Sequence, residues 1–169
     1  MALTLIRFGA LGGLAASLYA YHTELELARA AITGASYTAA CDMGAWASCS
    51  KVLSSSYAHV LSHWGVVPKH HSLDISNAIL GAAFYVLALV HDKLHVPRGA
   101  FLAASVGTLA FTAYLAYVLK FVLRDFCLVC GAMYLCNALI FLGAARRALA
   151  APKAAASSAA AGATEGKED

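Results

Sequence analysis

The sequence predicts an all-α integral membrane protein whose chain crosses the bilayer four times. Hydrophobic residues make up 61% of the 169 residues and charged residues only 12%, against about 25% charged in an ordinary soluble domain. Four apolar stretches approach or exceed the roughly 20 helical residues that cross a hydrocarbon core. They occupy residues 2–21, 75–91, 99–123 and 126–145.

The first stretch is longer than a signal peptide requires. Its apolar run exceeds the usual core of about 7–15 residues, which favours a retained helix. One early charge, Arg7, and many small residues are features that a secretory signal peptide shares, so that alternative stays open. The second stretch is short, and to span it needs flanking residues such as His91, snorkelling or local thinning of the bilayer.

The boundaries of the last two spans carry helix-start signals. Pro97 suits the start of the third helix, where its missing N–H costs nothing. Arg124 and Asp125 form the only polar break between the third and fourth stretches. Because Asp is a good N-cap residue, the sequence predicts that the last helix begins at Phe126.

The chain divides into a membrane domain, residues 1–150, and a tail, residues 151–169. Within the domain, residues 22–74 form a loop that holds most of the polar groups. A loop of this length is too long for a plain connection and is expected to carry function. The tail, APKAAASSAAAGATEGKED, is low in complexity and has no apolar periodicity, which predicts disorder.

The basic residues favour an orientation with cytoplasmic termini. Four spans place both termini on one side of the membrane and the long loop on the other. The cytoplasmic side would then hold seven of the twelve basic residues, namely Arg7, Lys93, Arg98, Arg146, Arg147, Lys153 and Lys167. This weak bias follows the positive-inside rule. Scattered rather than clustered, the basic residues do not indicate nucleic-acid binding.

Four of the five cysteines form two pairs on the non-cytoplasmic side. Cys41 and Cys49 lie in the loop as C-x7-C, and Cys127 and Cys130 open the last span as C-x-x-C. In an oxidising compartment such as the lumen of the endoplasmic reticulum, such pairs can be disulfides. The fifth, Cys136, is rotated away from the C-x-x-C face of the last helix and is expected to be core.

The C-x-x-C pair has the features of a redox site. A helix N-terminus and the nearby Arg124 favour a thiolate at Cys127. Cys130 lies on nearly the same face, roughly 4.5 Å deeper, and Tyr134 continues that face with a hydroxyl suited to a carbonyl or epoxide oxygen. A Cys130 thiolate could attack a quinone-like ring, and Cys127 would then close the disulfide.

Other interpretations of the cysteines remain open. Cys127 and Cys130 could be buried small side chains or a structural bond. Zinc held with the loop pair is disfavoured, because C-x7-C is wider than usual zinc spacing. Two pairs on one side would also form a relay, in which an external dithiol reduces Cys41 and Cys49 and these reduce the second pair. The loop pair could instead be a permanent staple.

Three segments carry a family resemblance. TAACDMGAWASCSKVLSSS in the loop, SNAILGAAFY at the second span and DFCLVCGAMYLCN at the fourth resemble the vitamin K epoxide reductase family of membrane thiol oxidoreductases. The resemblance covers roughly residues 5–148. It implies a four-helix bundle whose long loop caps the lumenal mouth of a pocket, in the membrane of the endoplasmic reticulum.

The resemblance also implies roles for individual residues. Cys41 and Cys49 correspond to the loop shuttle pair, and Cys127 and Cys130 to the active-site pair. Asn77 and Tyr134 match the residues that donate hydrogen bonds to the quinone oxygens. The pocket lining departs from the vertebrate pattern: Phe84 is kept, whereas Leu53, Tyr57 and Leu80 replace aromatic side chains of the family.

The expected substrate is a quinone or quinone epoxide dissolved in the bilayer. Its identity stays open among vitamin K epoxide, vitamin K quinone and another isoprenoid quinone. No tightly bound cofactor or metal is expected. With no thioredoxin-like domain fused to the chain, the resemblance implies an external thioredoxin-fold protein as electron donor.

Two rival functions remain. The same chemistry described from its other end is a quinone-linked generator of disulfides for protein folding. A four-span adhesion or scaffold protein would explain Cys41 and Cys49 as a static bond in its first loop, but it leaves Cys127 and Cys130 unexplained.

Overall fold

The structure is a computed structural model that describes residues 1–44, 46–68, 71 and 73–165, with residues 151–165 described by their backbone alone. The part of the chain described is helical apart from loops and two isolated β-bridges. The helices are α1 (Ala2–Thr33), α2 (Cys49–Leu53), α3 (Val60–His63), α4 (Asn77–Val90), α5 (Arg98–Tyr117) and α6 (Leu128–Glu165). The predicted all-α membrane bundle is confirmed.

Among the described residues, three helices are long and apolar enough to cross a bilayer. These segments are Ala2–Thr33, Arg98–Val122 and Leu128–Ala150, the second of which includes a π-helical turn, Val118–Val122, at the end of α5. The fourth, α4, is apolar but has only 14 residues. It corresponds to the stretch that the sequence marks as short for a span.

Small residues let α1 pack closely against its neighbours α4 and α6. A Cβ atom added at Gly13 would overlap the ring of Tyr85 on α4. Tyr85 is almost fully buried, and its hydroxyl donates a hydrogen bond to the Met133 carbonyl on α6 at 3.3 Å. Close backbone approach of this kind is how helices associate in lipid, where apolar burial alone gives little advantage.

The first helix is longer than the predicted span. It continues through residues 22–33, which the sequence analysis assigns to the loop, and ends at Gly34 with φ +72°. The extension is rich in Glu, Leu and Ala, which are strong helix formers, and Arg29 pairs with Glu26 one turn earlier at 2.6 Å. The loop proper therefore begins at Gly34, and the extension carries acidic side chains along the bundle.

The last helix begins at Leu128, two residues later than predicted. Asp125 is not its N-cap, because its carboxylate instead accepts hydrogen bonds from the backbone N–H groups of Ser48 and Phe126. Phe126 also forms a β-bridge with Ala47. Pairing with the loop therefore holds both residues outside the helix.

At its other end, the backbone of α6 stays helical to Glu165. This includes residues 151–165, for which composition predicts disorder. Alanine has the highest intrinsic helix propensity, so an alanine-rich stretch is compatible with either state. Residues 166–169 lie outside the described residues, and the division of the chain at residue 150 stays a prediction.

Candidate active site

Four cysteines meet where the loop covers the start of α6. Cys41 and Cys49 form a disulfide, whereas Cys127 and Cys130 are free thiols. The Cys127 sulfur lies 3.6 Å from the Cys49 sulfur, and both residues are fully buried. Cys127 therefore lies beneath the loop, closed off from solvent and against one sulfur of the disulfide.

The position of Cys127 at the start of α6 favours its thiolate. It immediately precedes Leu128, and its sulfur accepts a hydrogen bond from the Cys130 backbone N–H at 3.4 Å, the bond that an N-cap side chain makes. A hydrogen bond from the Cys130 thiol is the main cause that lowers the pKa of Cys127; burial opposes it, and the N–H groups of Cys130 and Val129 add to it. The chain thus places a thiol with a lowered pKa beside the disulfide.

Asp125 fastens the loop to the start of α6. Its carboxylate accepts hydrogen bonds from Ser48 N at 3.1 Å and from Phe126 N at 3.0 Å, and it pairs with Lys51 Nζ at 2.8 Å. Lys51 is the first cause that lowers the Asp125 pKa, with burial opposing and the two N–H groups assisting. Since Ser48 precedes Cys49 and Phe126 precedes Cys127, this one side chain sets the register between the two cysteine pairs.

Cys130 opens onto a cavity between the loop and the bundle. The free space is narrow, about 60 Å³, and its lining is largely apolar. Of the residues that the sequence analysis named for the substrate site, four line this cavity together with Cys130, namely Leu53, Tyr57, Asn77 and Tyr134. The structure therefore brings these predicted residues together around one thiol.

A second and larger cavity adjoins the first. It measures about 440 Å³ and lies between α4, α5 and α6, within the range of roughly 300–1,000 Å³ usual for ligand sites. Leu80 and Phe84 line this cavity and not the one beside Cys130. Asn77, Leu115, Met133 and Tyr134 line both. The predicted substrate residues are thus divided between two adjoining cavities.

Asn77 and Tyr134, the two residues expected to donate hydrogen bonds to a substrate, differ in the hydrogen bonds that they make within the protein. The Asn77 amide joins the loop to α4, donating to the Tyr57 carbonyl at 2.7 Å and accepting from Val60 N at 3.3 Å. An amide has two protons, so one remains for a ligand. Within the described residues the Tyr134 hydroxyl makes no hydrogen bond, and its ring lines both cavities.

Several cavity residues were not found from the sequence. Glu24 lies on the extension of α1 that was assigned to the loop. The wall formed by α5 and its π-helical turn comprises Leu115, Val118, Leu119 and Leu123. Their spacing of three or four residues marks one helix face, but in a span that is apolar all round this signal does not separate a cavity face from a lipid face.

Comparison with known proteins agrees with the thiol redox site that the cysteine geometry indicates. The profile described as the vitamin K epoxide reductase family matches residues 4–145. The chain belongs to the vitamin K epoxide reductase family. Two similar relatives are both described as vitamin K epoxide reductase complex subunit 1. The protein of Rattus norvegicus is 38% identical over 137 residues, covering 78% of this chain and 81% of its own. That of Mus musculus is 38% identical over 132 residues, covering 75% and 78% respectively.

Membership establishes the class of chemistry. The chain is an oxidoreductase of the vitamin K epoxide reductase type, a membrane enzyme that uses thiols to reduce quinones or their epoxides. The resemblance drawn from the three sequence segments is confirmed, and the adhesion or scaffold alternative is rejected. The substrate, the order of electron transfer and the roles of individual residues are matters for the proposal below.

Proposed function

We propose that this protein reduces vitamin K epoxide, vitamin K quinone or a related isoprenoid quinone, with electrons relayed from Cys41 and Cys49 to Cys127 and Cys130. The observation that carries the proposal is the 3.6 Å contact between the sulfurs of Cys127 and Cys49. It joins a loop disulfide to a thiol pair whose other member, Cys130, opens into a cavity.

The relay consists of two thiol–disulfide exchanges. An external dithiol first reduces Cys41 and Cys49. The Cys49 thiolate attacks Cys127 of an oxidised active-site pair, forming a Cys49–Cys127 bond and releasing Cys130 as a thiolate. Cys41 then attacks Cys49 and releases Cys127. The loop pair ends as a disulfide and the active-site pair as thiols, the bonding found in the structure.

The reduced pair then acts on the substrate. Cys130 transfers its proton to the Cys127 sulfur along the hydrogen bond between them and attacks the ring carbon. Cys127 next gives up this proton to the substrate oxygen and attacks the Cys130 sulfur, forming the disulfide and leaving the electron pair of the broken C–S bond on the ring. A quinone becomes a hydroquinone; an epoxide becomes a quinone and water. Hydrogen bonds from Tyr134 and Asn77 stabilise the negative oxygen.

The two cavities suit the two parts of an isoprenoid quinone. The ring lies beside Cys130, which requires the loop wall of Leu53 and Tyr57 to shift, because that space is only about 60 Å³. The apolar tail lies in the larger space lined by Leu80 and Phe84, between the helices that face lipid. A pocket that takes an apolar tail needs few polar groups.

The proposed setting is the membrane of the endoplasmic reticulum, with cytoplasmic termini and the cysteine loop in the lumen. The buried loop disulfide then faces the compartment where dithiol and disulfide proteins exchange. The electron donor is a thioredoxin-fold protein whose thiolate attacks Cys41, the loop sulfur that is not held against Cys127.

The test is turnover by purified protein supplied with dithiothreitol and a panel of quinones and epoxides. We expect turnover of a naphthoquinone or its epoxide, and its loss in Cys130→Ser. Cys136→Ser is the matched control, because Cys136 lies outside both cavities and its loss should leave turnover unchanged. Folded wild-type protein that reduces none of the panel would refute the proposal.

A further inference from the structure

Glu24 is an acidic side chain in the wall of the apolar cavity beside Cys130. It lies on the extension of α1, half-buried, and lines the same space as Cys130, Tyr134 and Asn77. Glu26, two residues on, instead pairs with the exposed Arg29 at 2.6 Å and does not line the cavity. The two neighbouring carboxyl groups therefore have different surroundings.

Ser76 holds the Glu24 carboxyl group in place. Ser76 is the N-cap of α4, where its hydroxyl oxygen accepts a hydrogen bond from Ile79 N at 3.4 Å. A hydroxyl has one proton to donate, and that proton bonds the Glu24 carboxyl group. Ser76 is almost fully buried. The Glu24 carboxyl group thereby lies beside the start of α4, in the wall of the cavity that Asn77 also lines.

The proposed chemistry needs one more proton than the thiol pair carries. Reduction of a quinone to a hydroquinone takes two electrons and two protons, and reduction of an epoxide to a quinone and water takes the same. The Cys127 sulfur accepts the Cys130 N–H at 3.4 Å at the start of α6, which favours its thiolate, and with Cys127 as a thiolate the pair holds only the proton of Cys130. Closing the disulfide therefore supplies both electrons and a single proton. The second proton comes from another group that reaches the cavity.

We propose that Glu24 is the acid that supplies this second proton to the substrate oxygen, an inference that rests on the proposed function. The carboxyl O–H bond breaks as the oxygen takes the proton, and the resulting carboxylate is protonated again from water between turnovers. Carboxyl groups in apolar sites are common general acids in enzymes, and such catalysis contributes about 10²–10⁴-fold to the rate.

The other titratable groups around Glu24 are compatible with Glu24 as the acid. They come from the loop and from α6, and comprise Tyr57, His59, Asp74, Cys130 and Tyr134. His59 and Asp74 lie 3.3 Å apart, and the His59 side chain is 40% exposed. In this proposal a proton from water reaches Glu24 by way of this pair, since His59 is near enough to interact electrostatically with Glu24. Tyr134 donates its hydrogen bond to the substrate and keeps its proton.

The test compares Glu24→Gln with Glu24→Asp and with the matched control Glu26→Gln, using dithiothreitol and a naphthoquinone. We expect Glu24→Gln to lower kcat about 10²-fold or more and to abolish the fall of kcat at high pH that deprotonation of the acid causes in the wild type. Glu24→Asp should retain that fall at a lower rate. Glu26→Gln should match the wild type.

Trapping of the Cys49–Cys127 disulfide in a Cys130→Ala background separates this inference from the relay, and Glu24→Gln should leave its yield unchanged. The inference is overturned if Glu24→Gln turns over like the wild type, or if it loses the same fraction of kcat at every pH. If Glu24→Gln does not fold, the pH profile of kcat in Glu24→Asp decides. A profile shifted along the pH axis relative to the wild type supports the inference, and an unshifted profile overturns it. Absence of turnover in the wild type would instead count against the proposed function.

Discussion

The sulfur of Cys127 lies 3.6 Å from the sulfur of Cys49, although 78 residues separate them in the chain. Asp125 holds this contact through hydrogen bonds to the residue on the N-terminal side of each cysteine. The disulfide to Cys41 leaves Cys49 as the loop sulfur within reach of the active-site pair. The proposed electron transfer between the two pairs would therefore need exchange at one sulfur contact and little movement of the backbone.

The relay predicts which mixed disulfide accumulates when it is interrupted. Cys130→Ala removes the thiol that would break a bond between Cys49 and Cys127, so this bond should become the main disulfide of the protein. Non-reducing digestion and mass spectrometry would identify it. In Cys136→Ala the bond should stay rare, because Cys136 takes no part. Finding only Cys41 bonded to Cys49 at every redox poise would contradict the relay.

Loss of the Asp125 carboxylate should loosen the loop. Removing its hydrogen bonds by Asp125→Ala is expected to cost about 2 kcal/mol of unfolding free energy. Most of this comes from the backbone N–H groups, since solvent screens Lys51, whose side chain is 63% exposed. Thermal unfolding in detergent measures the effect. Glu26→Ala, which breaks an exposed ion pair, should cost less than about 1 kcal/mol.

The contribution of Asp125 should also depend on pH. Because its folded-state pKa is lowered, first by Lys51, the stabilisation is fully present above the unfolded pKa of about 3.9 and is lost as pH falls through the lower folded value. The unfolding midpoints of wild type and Asp125→Ala should therefore differ most above about pH 4 and converge in stronger acid. A constant difference down to pH 2 would exclude the carboxylate as the cause.

The cysteine pairs were predictable because their chemistry depends on spacing and order along the chain. C-x-x-C at a helix start and a second pair on the same side are visible without coordinates. Cys127 lies at the start of the last helix, as predicted, but the helix begins at Leu128 and not at Phe126. The N-cap is therefore Cys127 itself. The role of Asp125 depends on a partner, Ser48, that is distant in sequence.

Glu24 was missed because the apolar run ends at Tyr21, and polar residues beyond it were assigned to the loop. Helix propensity in residues 22–33 was the available signal for the extension of α1. The division of the predicted substrate residues between two cavities was also beyond the sequence. Leu80, Phe84 and Asn77 all lie on α4 and line the larger cavity, whose remaining walls come from α5 and α6, distant in sequence.

Tyr134 is expected to act on the rate and not on folding. Tyr134→Phe removes one hydroxyl donor to the developing oxyanion, which should raise the barrier by about 2–4 kcal/mol at most. Steady-state kcat with a naphthoquinone measures this loss. Tyr117→Phe is the control, because Tyr117 is exposed on α5 and lines neither cavity. Unchanged kcat in Tyr134→Phe would remove this residue from the site.

Gly13 is expected to be a packing position. Gly13→Ala forces a Cβ atom into the ring of Tyr85, and overpacking of this kind typically costs about 1–3 kcal/mol. The unfolding midpoint should fall accordingly. Gly99→Ala is a suitable control, since no atom lies within 4 Å of a Cβ at Gly99. Equal midpoints for Gly13→Ala and the wild type would show that α1 and α4 separate easily.

The larger cavity should distinguish substrates by their tails. Gly107 lines it, and a Cβ there would meet no atom within 4 Å, so Gly107→Leu should fold and fill part of the space. Displacing two or three tail carbons at about 0.8 kcal/mol each would raise KM roughly 30-fold for a quinone with a long isoprenoid chain. For a methylnaphthoquinone without a tail, KM should not change. Gly99→Leu, outside the cavity, should affect neither substrate. Equal increases for both quinones would mean that the substitution disturbs the ring site, and no increase for either would place the tail elsewhere.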